Sequence, residues 1–182
     1  MTTTDDQLQR LKFPIGPFKP APADLSRDEL SALIDIVEAA PAKYRAITQG
    51  MSEEGANRTY REGAWNIRQL INHLADMQLL HLFRMKRAIT ESNYHVITIV
   101  DQHAWAVTPD GLNASWQDSL DMFESITKRY VFLMRSLTDE QLARTYFHPV
   151  RQVSLNQRQA ISMTAWHVQH HLEHIRIALK NS

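Results

Sequence analysis

The sequence contains no cysteine, and this absence excludes several kinds of site at once. There is no disulfide framework, no thiolate zinc site and no cysteine nucleophile, so a metal must be held by nitrogen or oxygen ligands. The 20 basic and 20 acidic side chains cancel, which leaves no basic field for nucleic acid or anionic lipid. No apolar run reaches the roughly 18 residues of a membrane span, and residues 1–6 do not resemble a leader. We therefore expect a cytoplasmic protein without nucleic-acid or membrane partners.

The chain has 182 residues, which is enough for one domain with a substantial core. We predict a single domain over residues 1–182, in which residues 1–12 are disordered. Four prolines in residues 13–22 exclude helix and favour an extended lead-in.

Apolar residues recur at helical spacing in four long stretches, and strand-like alternation is confined to the connections between them. Capping pairs are predicted at Ser26 with Glu29, Asn66 with Gln69, and Ser154 with Gln157. We expect Pro41 to interrupt the first of these helices. The pattern predicts an all-α protein, a four-helix bundle with long connections and an extended N-terminal segment.

The last helical stretch carries a cluster of histidines. His167, His170, His171 and His174 project within an arc of about 100° on one face of the helix. Two pairs have the i, i+4 spacing that presents two imidazoles to one ion, namely His167 with His171 and His170 with His174. Spacing alone does not choose between the pairs. Apolar neighbours such as Trp166 bury one side of this helix, where histidines need partners, and a metal is the partner that serves them all.

His73, in the second helical stretch, is the candidate for a third ligand. A lone histidine beside a core stripe is more often a hydrogen-bonded core residue, but a helix with two ligands needs a third from elsewhere. Three neutral imidazoles leave a coordination position open to water or substrate, which is typical of a catalytic site. Imidazole suits zinc, nickel, iron and copper. No glutamate is followed by histidine three residues later, which argues against a di-iron carboxylate centre.

The general base of the predicted site is not obvious. Val168 stands where the His-Glu-x-x-His motif of metalloproteases has its glutamate, so a protease is disfavoured. Asp76 lies one turn after His73 and is a candidate base. The commoner role of such a carboxylate is to orient a ligand imidazole, and we favour that role for Asp76.

The chain resembles the DinB superfamily, specifically its YfiT-like branch. The matching motifs occur in the expected order and span nearly the whole sequence: F-P-I-G at 13–16, Y-R-E-G-A-W at 60–65, H-L-A-D at 73–76, D-Q-H-A-W at 101–105, and W-H-V-Q-H-H-L-E-H-I at 166–175. Ala64 stands where many members have a second glycine. Met77 replaces a small polar residue that is common after the aspartate, which could alter the polarity of the pocket.

The resemblance implies a four-helix bundle, often a homodimer, that holds zinc or nickel. Its ligands by motif are His73, His167 and His171. The residues assigned to the surroundings of the ligands are His170, His174 and Trp166.

The resemblance implies two chemistries for a small-molecule substrate. The first is transfer of a low-molecular-weight thiol co-substrate, of the bacillithiol type, to an electrophile. The sequence slightly favours this chemistry because no acidic base stands at the ligand motif. The alternative is a metal-dependent hydrolase that uses a metal-activated water, with Arg61 or Tyr60 stabilising the developing oxyanion. A third hypothesis is a non-catalytic metal-binding bundle that acts as an interaction module.

Four other histidines lack ligand partners at helical spacing. We predict surface or loop positions for His81, His95, His103 and His148.

Overall fold

Four long helices make up most of residues 5–180, the part of the chain that the structure, a computed structural model, describes. In chain order the elements are α1 (Asp5–Lys12), α2 (Arg27–Ile47), α3 (Glu53–Ala56), α4 (Ile67–Thr90), α5 (Gln102–Ala106), α6 (Pro109–Asn113), α7 (Trp116–Ser136), α8 (Asp139–Ala143), β1 (Thr145–His148), β2 (Val153–Asn156) and α9 (Gln157–Lys180). None of these helices is long and apolar enough to cross a membrane. The predicted four-helix bundle is confirmed.

The arrangement of the long helices brings the two histidine-bearing elements together. Helix α4 packs against α7 and α9, and α2 packs against the same two helices. The order around the bundle is therefore α2, α7, α4, α9, and the consecutive long helices α2 and α4 sit across the bundle from each other. The contact between α4 and α9 places His73 opposite the histidine cluster.

Local capping chemistry sets most of the helix starts. Both predicted capping boxes at Ser26 and Asn66 are present, with reciprocal hydrogen bonds to the residue three positions on. The predicted cap of α9 is wrong by two residues. Ser154 pairs with Phe147 in the hairpin, and Asn156 instead exchanges capping hydrogen bonds with Gln159.

The predicted interruption at Pro41 is also wrong, because α2 runs through this proline without a break. Pro41 and Tyr44 are buried in the bundle. The Tyr44 hydroxyl donates a hydrogen bond to the Val168 carbonyl at 2.7 Å, which ties the second half of α2 to α9. Tertiary contacts of this kind outweigh the local cost of a proline in a helix.

The connections contain the strand-like segments. Strands β1 and β2 form an antiparallel hairpin. Val96, from the β-branched run at residues 96–100, makes a single parallel bridge to Phe147.

The N-terminal segment differs from the prediction for residues 1–12. Residues 1–4 lie outside the described part of the chain, and residues 5–12 form α1 in place of the predicted disorder. The Leu11 carbonyl lies 3.1 Å from His174 Nε2, and the Phe13 ring packs against His170 with centroids 6.1 Å apart. These contacts with α9 hold the end of α1 and the following lead-in against the bundle.

Candidate metal centre

Helices α4 and α9 bring three predicted ligands together. His73 projects from α4, and His167 and His171 project from successive turns of α9. One ring nitrogen of each lies within 4.8 Å of the others. His73 and His171 are 6% and 8% exposed, so the group is largely shielded from solvent.

The closest approach within this group has the spacing of two ligands of one ion. His73 Nε2 and His167 Nε2 lie 3.1 Å apart. Zinc–nitrogen bonds of about 2.0–2.1 Å place two tetrahedral ligands about 3.3–3.4 Å apart. The observed separation needs only a small adjustment to admit a metal between the two nitrogens.

A second group of three histidines competes with the first. His170, His171 and His174 also offer nitrogens within 4.8 Å of one another, and His171 belongs to both groups. One ring nitrogen of His171 can serve only one ion, so the hydrogen bonds of His171 distinguish the two arrangements.

Those hydrogen bonds favour the group that contains His73. Leu11 O can only accept, so the neutral ring of His174 carries its hydrogen on Nε2 and donates it to this carbonyl. His174 Nδ1 is then an acceptor, and it lies 3.3 Å from His171 Nδ1, which must donate. This relay leaves the lone pair of His171 on Nε2, free for a metal. It also occupies the Nδ1 lone pair of His174, which the second group would need.

Burial keeps the imidazoles in the form that binds metals. It lowers the pKa of His73 to about 3, and the pKa values of His167 and His171 fall well below the ordinary value, with burial again the largest cause. Neighbouring imidazoles lower the pKa values of His167 and His171 further. Since a ligand histidine must be neutral, the site is preorganised for a cation at neutral pH.

Trp166 and His170 lie next to the predicted ligand His171 on α9, where the His170 and His171 ring centroids are 4.9 Å apart. The indole stacks on the His170 ring with centroids 4.3 Å apart and an angle of 18° between planes. The Trp166 Nε1 donates to Gly16 O at 3.1 Å. His170 Nδ1 is buried and has no hydrogen-bond partner among residues 5–180. These contacts connect the predicted F-P-I-G motif to the histidine helix.

Tyr60 and Arg61 contact the predicted ligands indirectly, through His174. The Tyr60 ring stacks on His174, with centroids 3.9 Å apart and planes at 14°. The Arg61 guanidinium lies over the Tyr60 ring at 5.4 Å. Burial is the main cause that lowers the pKa of His174, and the charge of Arg61 adds a smaller contribution. Both residues thus reach the three-histidine group through His174, and a role for either in oxyanion stabilisation stays a prediction.

Asp76 is half-buried and belongs to neither histidine group found in residues 5–180. Burial raises its pKa, and the nearby Asp110 carboxylate raises it further. A role as base or as orienting group stays a prediction.

The surface position predicted for His81 is wrong, because the residue is buried in the bundle. It is 6% exposed, and its ring meets that of His167 edge-on with centroids 5.5 Å apart. Its Nδ1 lies 3.3 Å from Thr164 Oγ1. A signal was available, since a stripe of buried residues spaced four and three apart runs along α4: Leu70, Leu74, Met77, His81, Arg84 and Ala88.

The prediction for His148 is wrong in the same way, whereas His95 and His103 are exposed as expected. His148 is 8% exposed because β1 turns it inwards. Its Nδ1 accepts a hydrogen bond from the Arg151 backbone N–H at 3.3 Å.

A cleft of about 740 Å³ opens near the candidate centre, and none of His73, His167 and His171 lines it. His103 lies in its wall and packs on Trp65 at 5.3 Å, and Trp65 packs on His73 at 4.8 Å. Phe18 lies in the wall as well and packs on Trp166 at 5.8 Å. The volume is within the range of pockets for small organic molecules.

The chain belongs to the DinB superfamily, whose sequence profile matches residues 36–175. This confirms the resemblance stated from the motifs. A protein of Halalkalibacterium halodurans named "Putative metal-dependent hydrolase" is 36% identical over 92% of this chain and 96% of its own length. YfiT of Bacillus subtilis, which carries the same description, is 32% identical over 91% of this chain and 92% of its own length.

A solved structure supports the same relationship. It is that of Bacillus subtilis YfiT, with 31% sequence identity and a TM-score of 0.87 over 92% of this chain and 94% of that chain. YfiT is described there as "a probable metal-dependent hydrolase with an unusual four-helix bundle topology".

Proposed function

We propose that this protein is a metal-dependent hydrolase of small molecules, in which His73, His167 and His171 hold one divalent metal, zinc or nickel. The observation that carries the proposal is the convergence of three neutral imidazoles from two helices, with the tautomer of His171 set by the relay through His174. The donor set fits such an ion, because imidazole suits both metals and three ligands leave a position open.

When bound, the metal would acidify a water molecule and polarise the scissile carbonyl or phosphoryl group of the substrate. The chain's own residues prepare the site for this chemistry. The relay from Leu11 O through His174 fixes the orientation of His171. Trp65 packs against His73 and, together with the buried histidine rings, excludes bulk water from one side of the site. We propose that substrate enters from the side of the cleft, whose wall residue His103 is linked to His73 through the ring contacts of Trp65.

Hydrolysis leads over thiol transfer because the relatives described above are named as metal-dependent hydrolases. The comparisons do not support the thiol transfer that the sequence slightly favours. The histidine site itself accommodates either chemistry, so an assay has to distinguish them.

Metal content measured by inductively coupled plasma mass spectrometry tests the ligand set. We expect about one metal per chain in the wild type and a loss in each of His73→Ala, His167→Ala and His171→Ala. His95→Ala is the matched control, since this exposed histidine lies outside both groups. Retention of metal by all three variants would contradict the assignment.

Activity is then measured with the metal-loaded protein on a panel of esters, amides and phosphoesters. We expect metal-dependent hydrolysis that chelation abolishes. Formation of a thiol adduct without hydrolysis, detected by mass spectrometry, would replace the proposal with thiol transfer. Circular dichroism after chelation tests the non-catalytic alternative, because a purely structural metal would hold the fold together and its removal would unfold the bundle.

A further inference from the structure

Arg84 is a buried cation in the wall of the cleft. It lies on the buried stripe of α4 and is 4% exposed. Its Nε and Nη2 both donate to a single backbone carbonyl, that of Thr98, at 3.1 and 2.6 Å. Within residues 5–180 no carboxylate forms an ion pair with it. A guanidinium buried against one carbonyl carries an uncompensated desolvation cost.

Arg151 places a second cation in the same wall. It follows β1 in the turn of the hairpin, and its guanidinium lies 5.2 Å from the centre of the Phe18 ring. Among the described residues it has no carboxylate partner either. Burial is the largest cause that lowers the pKa of Arg84, and the charge of Arg151 contributes to the same shift.

The remaining groups in the wall offset only one of these two charges. Asp101 is the one carboxylate among the residues that line the cleft within the described chain. Its Oδ1 is occupied as the cap of α5, accepting from the backbone N–H groups of His103 and Ala104 at 3.0 Å each. Burial and the two arginines lower the pKa of His148 to about 4, which makes it neutral at pH 7. The cleft therefore has an excess of positive charge.

We propose that Arg84 and Arg151 form a subsite for an anionic oxygen group, a carboxylate or a phosphate, carried by the substrate. A guanidinium binds such groups through paired, charge-assisted hydrogen bonds, and the anion would compensate the buried charge of Arg84. None of the three proposed ligands lines the cleft, which is linked to His73 through the ring contacts of His103 with Trp65 and of Trp65 with His73. The substrate class is then a small anionic ester, amide or phosphoester, a conclusion that rests on the proposed hydrolase function.

Binding to metal-free protein tests the subsite without involving the metal. NMR titrations at constant ionic strength would compare benzoate and phenyl phosphate with neutral benzyl alcohol, which is similar in size. We expect at least one anion to bind about tenfold more tightly than the alcohol, since hydrogen bonds to charged groups are worth that much. The two anions distinguish a carboxylate subsite from a phosphate subsite. Equal affinities for all three compounds would overturn the proposal.

Substitutions assign the effect to the two arginines. Arg151→Gln alters an exposed side chain and should weaken binding of the preferred anion about tenfold, with little change for benzyl alcohol. Arg84→Lys keeps the charge but loses the planar fork, and it should weaken the same anion. Arg129→Gln is the control, because this exposed arginine on α7 lies outside the cleft. Equal effects of Arg129→Gln and Arg151→Gln would contradict a local subsite.

The two proposals fail in different ways. If metal-loaded protein hydrolyses neutral and anionic esters equally well, the subsite is wrong and the hydrolase stands. If metal-free protein binds the anion selectively but the loaded protein hydrolyses no substrate in the panel, the hydrolase is wrong and the subsite stands.

Discussion

His171 Nδ1 lies 3.3 Å from His174 Nδ1, and the opposite nitrogen of His174 lies 3.1 Å from the Leu11 carbonyl. With His73, His167 and His171 as the proposed ligands, this relationship makes His174 a support for His171 and not itself a ligand. The same relay connects the N-terminal helix α1 to the proposed metal centre, so Leu11 would contribute to the orientation of His171.

The role of His174 as a support predicts a graded effect on metal binding. His174→Ala should weaken metal affinity about 10- to 100-fold, the usual effect of losing a partner that orients a ligand. Stoichiometric binding should persist at high metal concentration, in contrast to His171→Ala. Competition with a chromogenic chelator measures both affinities. Complete loss of binding in His174→Ala would favour the group formed by His170, His171 and His174.

The neutral, buried His148 predicts acid sensitivity. Its folded pKa is about 4 and its unfolded pKa is near 6.5, so the unfolded state binds the extra proton between these values. Stability is therefore fully present above pH 6.5 and falls as the pH decreases towards 4, by at most about 1.4 kcal/mol per pH unit for this group.

Chemical denaturation of wild type and His148→Gln at several pH values measures that contribution. We expect a shallower decline for the variant between pH 6.5 and 4. Parallel curves for the two proteins would show that His148 does not titrate as its burial implies.

Asp76 provides a test with the opposite sign. Burial and Asp110 raise its pKa above the ordinary value, so its ionised form is disfavoured in the folded state. The penalty is present at neutral pH and disappears below the unfolded pKa of about 3.9. Asp76→Asn should therefore raise the melting temperature at pH 7 and have little effect at pH 3.5.

The same variant tests the predicted chemistry of Asp76. If Asp76 is the general base, the enzyme should lose most of its kcat on this substitution. If the carboxylate takes no part in the reaction, kcat should stay nearly unchanged. Destabilisation by Asp76→Asn at pH 7 would contradict the electrostatic account, whatever its effect on kcat.

The hydrogen bond between Tyr44 and Val168 should stabilise the contact between α2 and α9. The Tyr44 hydroxyl is buried and donates to the Val168 carbonyl at 2.7 Å. Tyr44→Phe keeps the ring and removes this bond, which should lower the free energy of unfolding by about 0.5–1.5 kcal/mol. Metal stoichiometry should not change. Urea denaturation of the metal-free variant measures the loss, and an unchanged midpoint would show that the bond contributes nothing.

Local signals in the sequence predict much of this fold. The capping boxes at Ser26 and Asn66 and the apolar spacing of the long helices depend on residues close in the chain, and the structure confirms them. The start of α9 was misplaced because the hairpin, a tertiary element, takes up Ser154. The order of helices around the bundle could not be predicted from the sequence, because it depends on contacts between distant segments.

The candidate site shows the same division. The spacing of His167 and His171 indicated a metal, but spacing left the choice of pair open. The structural argument for that choice depends on Leu11, which is 163 positions away from His174 in the chain. His81 and Arg84 continue the spacing of four and three residues that the buried side chains of α4 follow. Their burial was not predicted because polar residues are usually exposed.

The most direct test of the metal centre is a crystal structure of zinc-loaded protein with anomalous diffraction recorded at the zinc edge. We expect one strong peak about 2.0–2.1 Å from Nε2 of each of His73, His167 and His171. A peak among His170, His171 and His174, or no peak near α4, would contradict the account.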